Sequence, residues 1–499
     1  MEVFSNLFHG FAGILNIQSL FFCLLGATLG TFIGALPGIG PSAGCAILLP
    51  LAFTMEPTIA LIMLTGIFYG AMYGGTITSV LLNIPGESSS VMSAVEGFKL
   101  AKQGRGGVAL GIAAIGSFVA GTLGTIALTF FAPYLATKAL LFGPAEKFAI
   151  IAMAFAFVSS FTTGSVSKSL VSLSIGLLAA TVGQDILIGV PRLTFGTEFL
   201  MDGLDFMPFA MGFFALAEVM SGMENTEEFE EISLNKLGRI MPNFKELKES
   251  TLPCARGTLV GFICGMIPGA GATIASFISY GVERKYSHHP ELFGHGSMDA
   301  IASTESANNA SAAGHMIPLM ALAIPGSATT AVLLTGFMMF GLQPGPQLFT
   351  QHPDIAWGLI ASMYVGNVML VIMNIIGVPF FVWAVKKSMP FMTPLVVIIT
   401  IAGVFSVNQN VRDVWLMLMC GFGGYILIKL DYPIVPILLG LVLGGMAENN
   451  FRTALRIADG NFLVFVEKPI CAAFLGLSLV MMAGPSLLKA FRSRKQRAA

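Results

Sequence analysis

Long, uninterrupted apolar runs are the feature of this sequence that most constrains its fold. A helix needs about 20 residues to cross the hydrocarbon core of a bilayer. The runs do not alternate in polarity as the strands of an outer-membrane barrel do, and only helices or closed barrels satisfy the backbone in hydrocarbon. The sequence therefore predicts an all-α polytopic membrane protein with roughly 10 to 13 membrane segments. The clearest runs are Ile17–Leu36, Ile59–Leu82, Gly107–Leu135, Thr258–Ser279, Ile355–Val385 and Pro469–Leu488.

The composition also indicates that lipid is the main solvent of this chain. Hydrophobic residues make up 55% of its 499 residues and charged residues 11%, whereas a soluble protein carries about 25% charged residues. The net charge of −1 gives no reason to expect a nucleic-acid partner. Met1–Asn16 lacks the basic start and cleavage site of a signal peptide, so we expect the first apolar run to be a span of a bacterial inner membrane.

The sequence divides into two halves. A polar stretch at residues 224–250 separates a first membrane half (1–223) from a second (251–490), and a basic tail (491–499) follows. The positive-inside rule places that tail in the cytoplasm. The six cysteines form no CxxC pair and the histidines no HExxH motif, so we predict no metal cofactor.

The two halves share a pair of Pro-Gly segments in the same order. The first half reads GTFIGALPGIGPSAG at residues 30–44 and LLNIPGESSSV at 81–91. The second half reads GTLVGFICGMIPGAGATIAS at 257–276 and ALAIPGSATTAV at 321–332. Secondary transporters are often built as such repeats, in inverted orientation, with broken helices at corresponding positions.

The chemistry of a broken helix suits an anion. Proline removes a backbone donor and glycine permits unusual conformations, so the two together interrupt a membrane helix. The helix that restarts after the break points its amides and its positive dipole end at the gap, where a carboxylate can bind. The candidate substrate-binding residues are Pro37, Gly38, Gly40, Ser42, Pro85, Gly86, Ser88, Ser89, Pro268, Gly269, Gly271, Thr273, Pro325, Gly326, Ser327 and Thr329.

Neutral oxygen donors next to the breaks suit a small cation such as sodium. The candidates are Asn83 and Thr76 in the first half and Asn308 and Asn309 in the second. Glu87 and Glu305 are further candidates for contact with ligand or ion, because an intramembrane carboxylate is usually functional. We interpret His315, in an apolar stretch, as a packed histidine rather than a proton relay.

At these motifs the sequence resembles the large membrane subunit of the tripartite tricarboxylate transporters. The resemblance covers nearly the whole chain, and its longest matches are FYGAMYGGTITSVLLNIPGESSSV (68–91) and ESANNASAAGHMIPLMALAIPGSATTAVLL (305–334). Shorter matches are ALPGIGPSAG (35–44), GFKLAKQGRGGVALGIAAIGSFVAGT (97–122), GMIPGAGATIASFISYGVERK (265–285) and GLQPGPQLF (341–349). The chain departs from the family pattern at Ser88, where proline is common, and at Glu96, where aspartate is common.

The resemblance implies a non-enzymatic secondary transporter that imports tricarboxylates, dicarboxylates or related acids. It implies a small transmembrane subunit and a periplasmic solute-binding protein as partners, and a homodimer of the complex is an open alternative. Sodium and protons both remain open as the coupling ion, and so do elevator and rocking motions.

Four other classes compete with this interpretation. A channel also uses broken helices, but an internal repeat within one chain favours a transporter. An embedded enzyme or an ATP-driven pump would need a catalytic constellation or a GxxxxGK[ST] motif, and the sequence shows neither. A structural scaffold would give no reason for duplicated breaks.

Overall fold

The computed structural model describes residues 2–36, 39–83, 85–161, 165–185, 187–222, 238–268 and 271–482. The described residues of the first half form mainly helices: α1 Glu2–Ile14, α2 Ile17–Gly34, α3 Pro41–Phe53, α4 Pro57–Leu82, α5 Val91–Lys102, α6 Gly106–Ala139, α7 Pro144–Phe161, α8 Val166–Ala180, α9 Phe206–Ala210, a π-helical segment Met211–Leu216 and α10 Ala217–Gly222. Short 3-10 turns occur at Ser88–Ser90 and Glu198–Leu200, and β1 Gly183–Gln184 pairs antiparallel with β2 Pro191–Arg192.

The second half continues in the same manner, with a 3-10 turn at Pro290–Leu292. Its helices are α11 Phe244–Met266, α12 Gly271–Tyr286, α13 Met298–Leu322, α14 Ala328–Met339, α15 Pro346–Gln351, α16 Pro353–Ile376, α17 Val378–Asn408, α18 Val411–Lys429, α19 Val435–Ile457, α20 Val464–Glu467 and α21 Pro469–Met482.

The prediction of an all-α polytopic membrane protein is confirmed. Among the described residues, five helices are long and apolar enough to cross a membrane, and shorter apolar helices such as α3, α8 and α14 accompany them. The five are α2, α4, α6, α16 and α18.

The polar stretch between the halves is only partly a connecting loop. Residues 224–237 of it, like the basic tail at 491–499, lie outside the described residues. Helix α11 begins at Phe244, so the end of the stretch predicted as a loop is helical. Asn243 caps this helix by accepting a hydrogen bond from the Glu246 amide, while the Glu246 carboxylate accepts one from the Asn243 amide. This capping box explains why the helix starts inside a polar segment.

Among the described residues, each half contains a parallel helix pair held at backbone contact by glycines. In the first half α2 packs along α4, and a Cβ at Gly34 would lie 2.1 Å from the Ala71 carbonyl oxygen. In the second half α11 packs along α13, and a Cβ at Gly261 would lie 2.1 Å from the Ala307 carbonyl oxygen. Small residues let helix backbones approach this closely, which maximises van der Waals contact where lipid removes the hydrophobic drive for association.

The two pairs run in opposite directions. On α4, Met72 accepts a hydrogen bond through its carbonyl oxygen from Asn308 of α13 at 3.4 Å. Eight residues further along α4, Val80 packs on Gly97, which also contacts Ile301, nearer the start of α13. Helices α4 and α13 are therefore antiparallel, and so are the pairs to which they belong.

A charged cluster joins the β-hairpin to α19. Arg452 donates to the buried Asp185 carboxylate at 2.7 Å, and Arg192 donates to Glu448 at 2.7 Å. The hydrogen bond from Arg452 lowers the pKa of Asp185 to about 2, helped by the amides of Leu187 and Ile188. The cluster fastens the hairpin to the helical bundle.

Candidate functional site

The described parts of all four Pro-Gly segments are interruptions between helices. Gly40 is the N-cap of α3, with Pro41 as its first helical residue. Gly271 opens α12 with a φ of +64°, a conformation that favours glycine. Ser327 caps α14 in a reciprocal arrangement with Thr330. The breaks thus produce helix N-termini, as the sequence predicts.

The second break of each half ends its preceding helix in the same way. Asn83 is the C-cap of α4 and Ala323 the C-cap of α13, and both are left-handed with φ of 57°. A left-handed residue commonly ends a helix because its amide can bond back to the last turn. The shared conformation shows that the sequence duplication extends to backbone geometry.

The four break segments line one cavity of about 1070 Å³. The first contributes Gly40 and Ser42, and the third contributes Gly271 and Thr273. Ser88 and Thr273 join the two halves directly across it, because their hydroxyl oxygens lie 2.7 Å apart. The second break supplies Pro85, Gly86, Glu87, Ser88 and Ser89, and the fourth supplies Gly326, Ser327 and Thr329.

Close backbone packing fixes the second and fourth breaks in the cavity wall. A Cβ at Gly86 would lie 2.0 Å from the Gly34 carbonyl oxygen, so this break rests on the end of α2. A Cβ at Gly326 would lie 2.8 Å from the ring of His315. Only glycine fits either position without a shift of its neighbours.

Two buried carboxylates lie on either side of Asn308. Glu87 lines the cavity and accepts hydrogen bonds from the Asn308 amide at 3.0 Å and from the Ser89 hydroxyl. Glu305, one helical turn before Asn308 on α13, accepts one from Ser93 and is 1% exposed. Asn308 therefore lies between Glu87, which lines the cavity, and Glu305, which is buried behind the cavity wall.

The sequence match to a known family decides the identity of the chain. A family model described as "Tripartite tricarboxylate transporter TctA family" matches residues 20–439. The chain belongs to this family. It is therefore the large membrane subunit of a tripartite tricarboxylate transporter, and the resemblance noted from its motifs is confirmed. Members of the TctA family work with a small membrane subunit and a periplasmic binding protein.

Two relatives of this TctA-family chain come from Agrobacterium vitis. One, described as "Uncharacterized 52.8 kDa protein in TAR-I ttuC' 3'region", is 41% identical over 503 residues, covering 100% of this chain and 99% of the relative. The other, "Uncharacterized protein in TAR-II ttuC' 3'region", is 41% identical over 239 residues, covering 47% of this chain and 97% of the relative. No solved structure gives a significant match.

Not every predicted residue of the TctA-family site reaches the cavity. Pro37, Gly38 and Gly269 lie outside the described residues. Pro268 and Pro325 belong to the breaks but are not among the cavity-lining residues, and neither are Thr76, Asn308, Asn309 or Glu305. Asn83 is exposed at the end of α4, where the structure gives it the role of a left-handed cap.

The sequence analysis missed three charged cavity residues. Lys168 and Glu218 lie on α8 and in α10, and Asp431 follows α18 with 88% of its side chain exposed. Lys168 is the single charged residue of α8, and Glu218 is the single charged residue of α10. A lone charge in an apolar helix is the sequence signal by which both could have been predicted. Lys168 donates to the Leu430 carbonyl at 2.6 Å, so it lies beside the exposed mouth of the cavity.

His315 also lines the cavity, on α13. It is 1% exposed, and neither ring nitrogen has a hydrogen-bond partner among the described residues. The sequence-based interpretation of a packed histidine agrees with this burial. The histidine nevertheless forms part of the wall beneath the fourth break, a position that the sequence did not indicate.

Proposed function

We propose that this chain imports organic carboxylates across the bacterial inner membrane and holds the substrate in the cavity between the four breaks. The observation that carries the proposal is that one cavity is lined by the N-termini of α3, α12 and α14 together with the Ser88–Ser90 turn. The cavity is at the upper end of the usual range of about 300 to 1,000 Å³ for small-molecule sites. Its volume is enough for a citrate-sized molecule with water.

The helix N-termini around the cavity suit an anionic ligand. Amide groups at helix N-termini offer partial positive charge that needs no counter-ion. Lys168 lies near the mouth, 3.7 Å from Asp431, so its positive charge is partly offset there. Glu87, Glu218 and Asp431 also line the cavity, so the proposal rests on the helix N-termini and not on net charge.

The antiparallel helix pairs support an inverted repeat as the basis of alternating access. In this proposal a sodium or proton gradient drives uptake, and the periplasmic binding protein delivers the acid to the complex with the small subunit. The end of the bundle that carries Lys99, Arg105 and Arg239 faces the cytoplasm together with the basic tail, in agreement with the positive-inside rule. Lys99 contacts the Gly294 carbonyl there, and Arg105 lies 3.9 Å from Glu246.

A charge placed at one helix N-terminus tests the substrate site. Ser42 is the second residue of α3, lines the cavity and is 8% exposed. We expect Ser42→Asp to fold, because an acidic residue in the first turn favours the helix. At about 6 Å from a bound carboxylate and an effective dielectric constant of 20, the repulsion is about 3 kcal/mol, or roughly 100-fold in KM. Ser42→Asn, which adds the same volume without charge, is the control.

The assay is uptake of labelled citrate and a panel of other carboxylates into proteoliposomes that contain the complex and its binding protein, with and without an inward sodium gradient. Saturable uptake, with KM raised far more by Ser42→Asp than by Ser42→Asn, supports the proposal. Equal effects of the two variants would remove the helix N-terminus from the site. Flux that does not saturate would favour the alternative of a channel.

A further inference from the structure

We infer that Glu305 and Asn308 form an occluded sodium site behind the cavity wall. The inference rests on the proposed function, because it assigns the coupling cation of that transport cycle to named atoms. It starts from two buried acceptor oxygens on α13. Glu305 Oε2 and the side-chain oxygen of Asn308 have no hydrogen-bond partner among the described residues, and the two residues are 1% and 0% exposed.

Such atoms are expensive to leave unsatisfied. An acceptor oxygen buried without a partner loses its hydration and gains nothing in return. Glu305 and Asn308 are three residues apart on α13, so their side chains leave the same face of the helix. A cation between them would satisfy both oxygens at once.

The neighbouring side chains suit a hard monovalent cation. Thr76 of α4 and Asn308 both flank the Glu305 carboxylate. One carboxylate with neutral amide and hydroxyl oxygens matches the charge of sodium, whereas divalent ions usually recruit more carboxylates.

The two other predicted sodium ligands are less well placed. Asn309 donates its amide to Ser117 at 2.7 Å and to the Glu305 carbonyl at 3.1 Å, so it stiffens α13 against α6. Asn83 is an exposed helix cap. The candidate sodium ligands that remain therefore lie around Glu305, at the contact between α4 and α13.

Asn308 would connect the cation to the substrate cavity. Its amide nitrogen holds Glu87 at 3.0 Å and the Met72 carbonyl at 3.4 Å, while its oxygen is left for the cation. Sodium bound at that oxygen polarises the amide and fixes the side chain, which in turn holds Glu87 in the wall of the second break. Loss of the cation removes that polarisation and weakens the hold on Glu87. This gives a physical route by which ion occupancy shapes the substrate site.

A direct binding measurement tests the site without relying on transport. Scintillation proximity with ²²Na⁺ on the purified full-length chain and its small subunit, without substrate or binding protein, should show saturable binding displaced by unlabelled sodium but not by potassium. We expect Glu305→Gln to weaken sodium binding at least tenfold. Glu146→Gln, which removes a buried carboxylate of α7 that does not line the cavity, is the matched control and should bind as the wild type does.

A second measurement covers variants that express poorly. Sodium should raise the thermal midpoint of the wild type, because a ligand that binds the folded state stabilises it, and Asn308→Ala should lose that sodium-dependent shift. Absence of ²²Na⁺ binding by folded wild type, or unchanged binding by Glu305→Gln, would overturn the inference. Substrate counterflow without any sodium gradient tests the carboxylate site separately. A variant that loses sodium binding but keeps carboxylate counterflow, or the reverse, distinguishes the two proposals.

Discussion

Replacing one glycine at the contact between α11 and α13 should destabilise the protein measurably. In Gly261→Ala the new Cβ would lie 2.1 Å from the Ala307 carbonyl oxygen and 2.5 Å from the Ala307 Cα. Ordinary van der Waals contact begins at 3.4 Å, so the helices must separate by about 1 Å. Both partners are backbone, so no flexible side chain can move aside.

The magnitude follows from overpacking. Such insertions typically cost about 1–3 kcal/mol, and we expect the upper end because the clash is between two backbones. With about 2–4 °C per kcal/mol for a large domain, a 3 kcal/mol loss lowers the thermal midpoint by roughly 6–12 °C. Gly34→Ala, whose Cβ would lie 2.1 Å from the Ala71 carbonyl oxygen, should act similarly in the first half.

Gly281→Ala is the matched control, because it adds the same methyl group to a neighbouring helix. Gly281 has no atom within 4 Å of the Cβ position, so alanine should stabilise α12 by up to about 1 kcal/mol through helix propensity. The assay is the thermal midpoint of the purified complex in one detergent, with the fraction eluting as a single species. A Gly261→Ala midpoint at or above that of the wild type, with Gly281→Ala no higher, would refute the reasoning.

Three further predictions concern hydrogen bonds and charge. Ser327→Ala removes the N-cap of α14 and should lower the free energy of unfolding by about 1 kcal/mol; a thermal midpoint unchanged from Ser327→Thr would contradict this. Asn367 accepts a hydrogen bond from Tyr73 at 2.7 Å and donates one to the Phe118 carbonyl at 2.8 Å. Asn367→Leu should therefore lower the free energy of unfolding by denaturant more than Tyr73→Phe does, by about 1 kcal/mol or more. Equal losses of free energy in the two variants would show that the bond to Phe118 does not contribute. Asp185 has a pKa of about 2 in the folded protein against 3.8 unfolded. Its contribution to stability is therefore present above pH 3.8 and disappears as the pH falls towards 2. Asp185→Asn should flatten the decline of the thermal midpoint between pH 4 and pH 2, and an unaltered decline would show that Asp185 does not cause it.

The sequence by itself determined the class of fold and the family. Apolar runs such as Ile59–Leu82 reappear as helices, here α4, because hydrocarbon leaves the backbone no other way to satisfy its polar groups. The run Thr258–Ser279 is divided between α11 and α12 at the Pro-Gly segment, as the proline and glycines predict. These are local consequences of solvent and backbone chemistry, which a sequence displays directly.

Only the tertiary structure decided which of the candidate residues meet. Glu87 and Asn308 are 221 residues apart, and Ser88 and Thr273 are 185 apart, so their contacts depend on how the halves pack. Asn83 and Asn308 look equivalent as oxygen donors in sequence, yet the first is an exposed cap and the second lies between two buried carboxylates. Helix direction decides this difference, because antiparallel packing of α4 and α13 brings Asn308 to Met72 and leaves Asn83 beyond the contact. Local patterns carry no record of that direction, which is set by the close fit of whole helices.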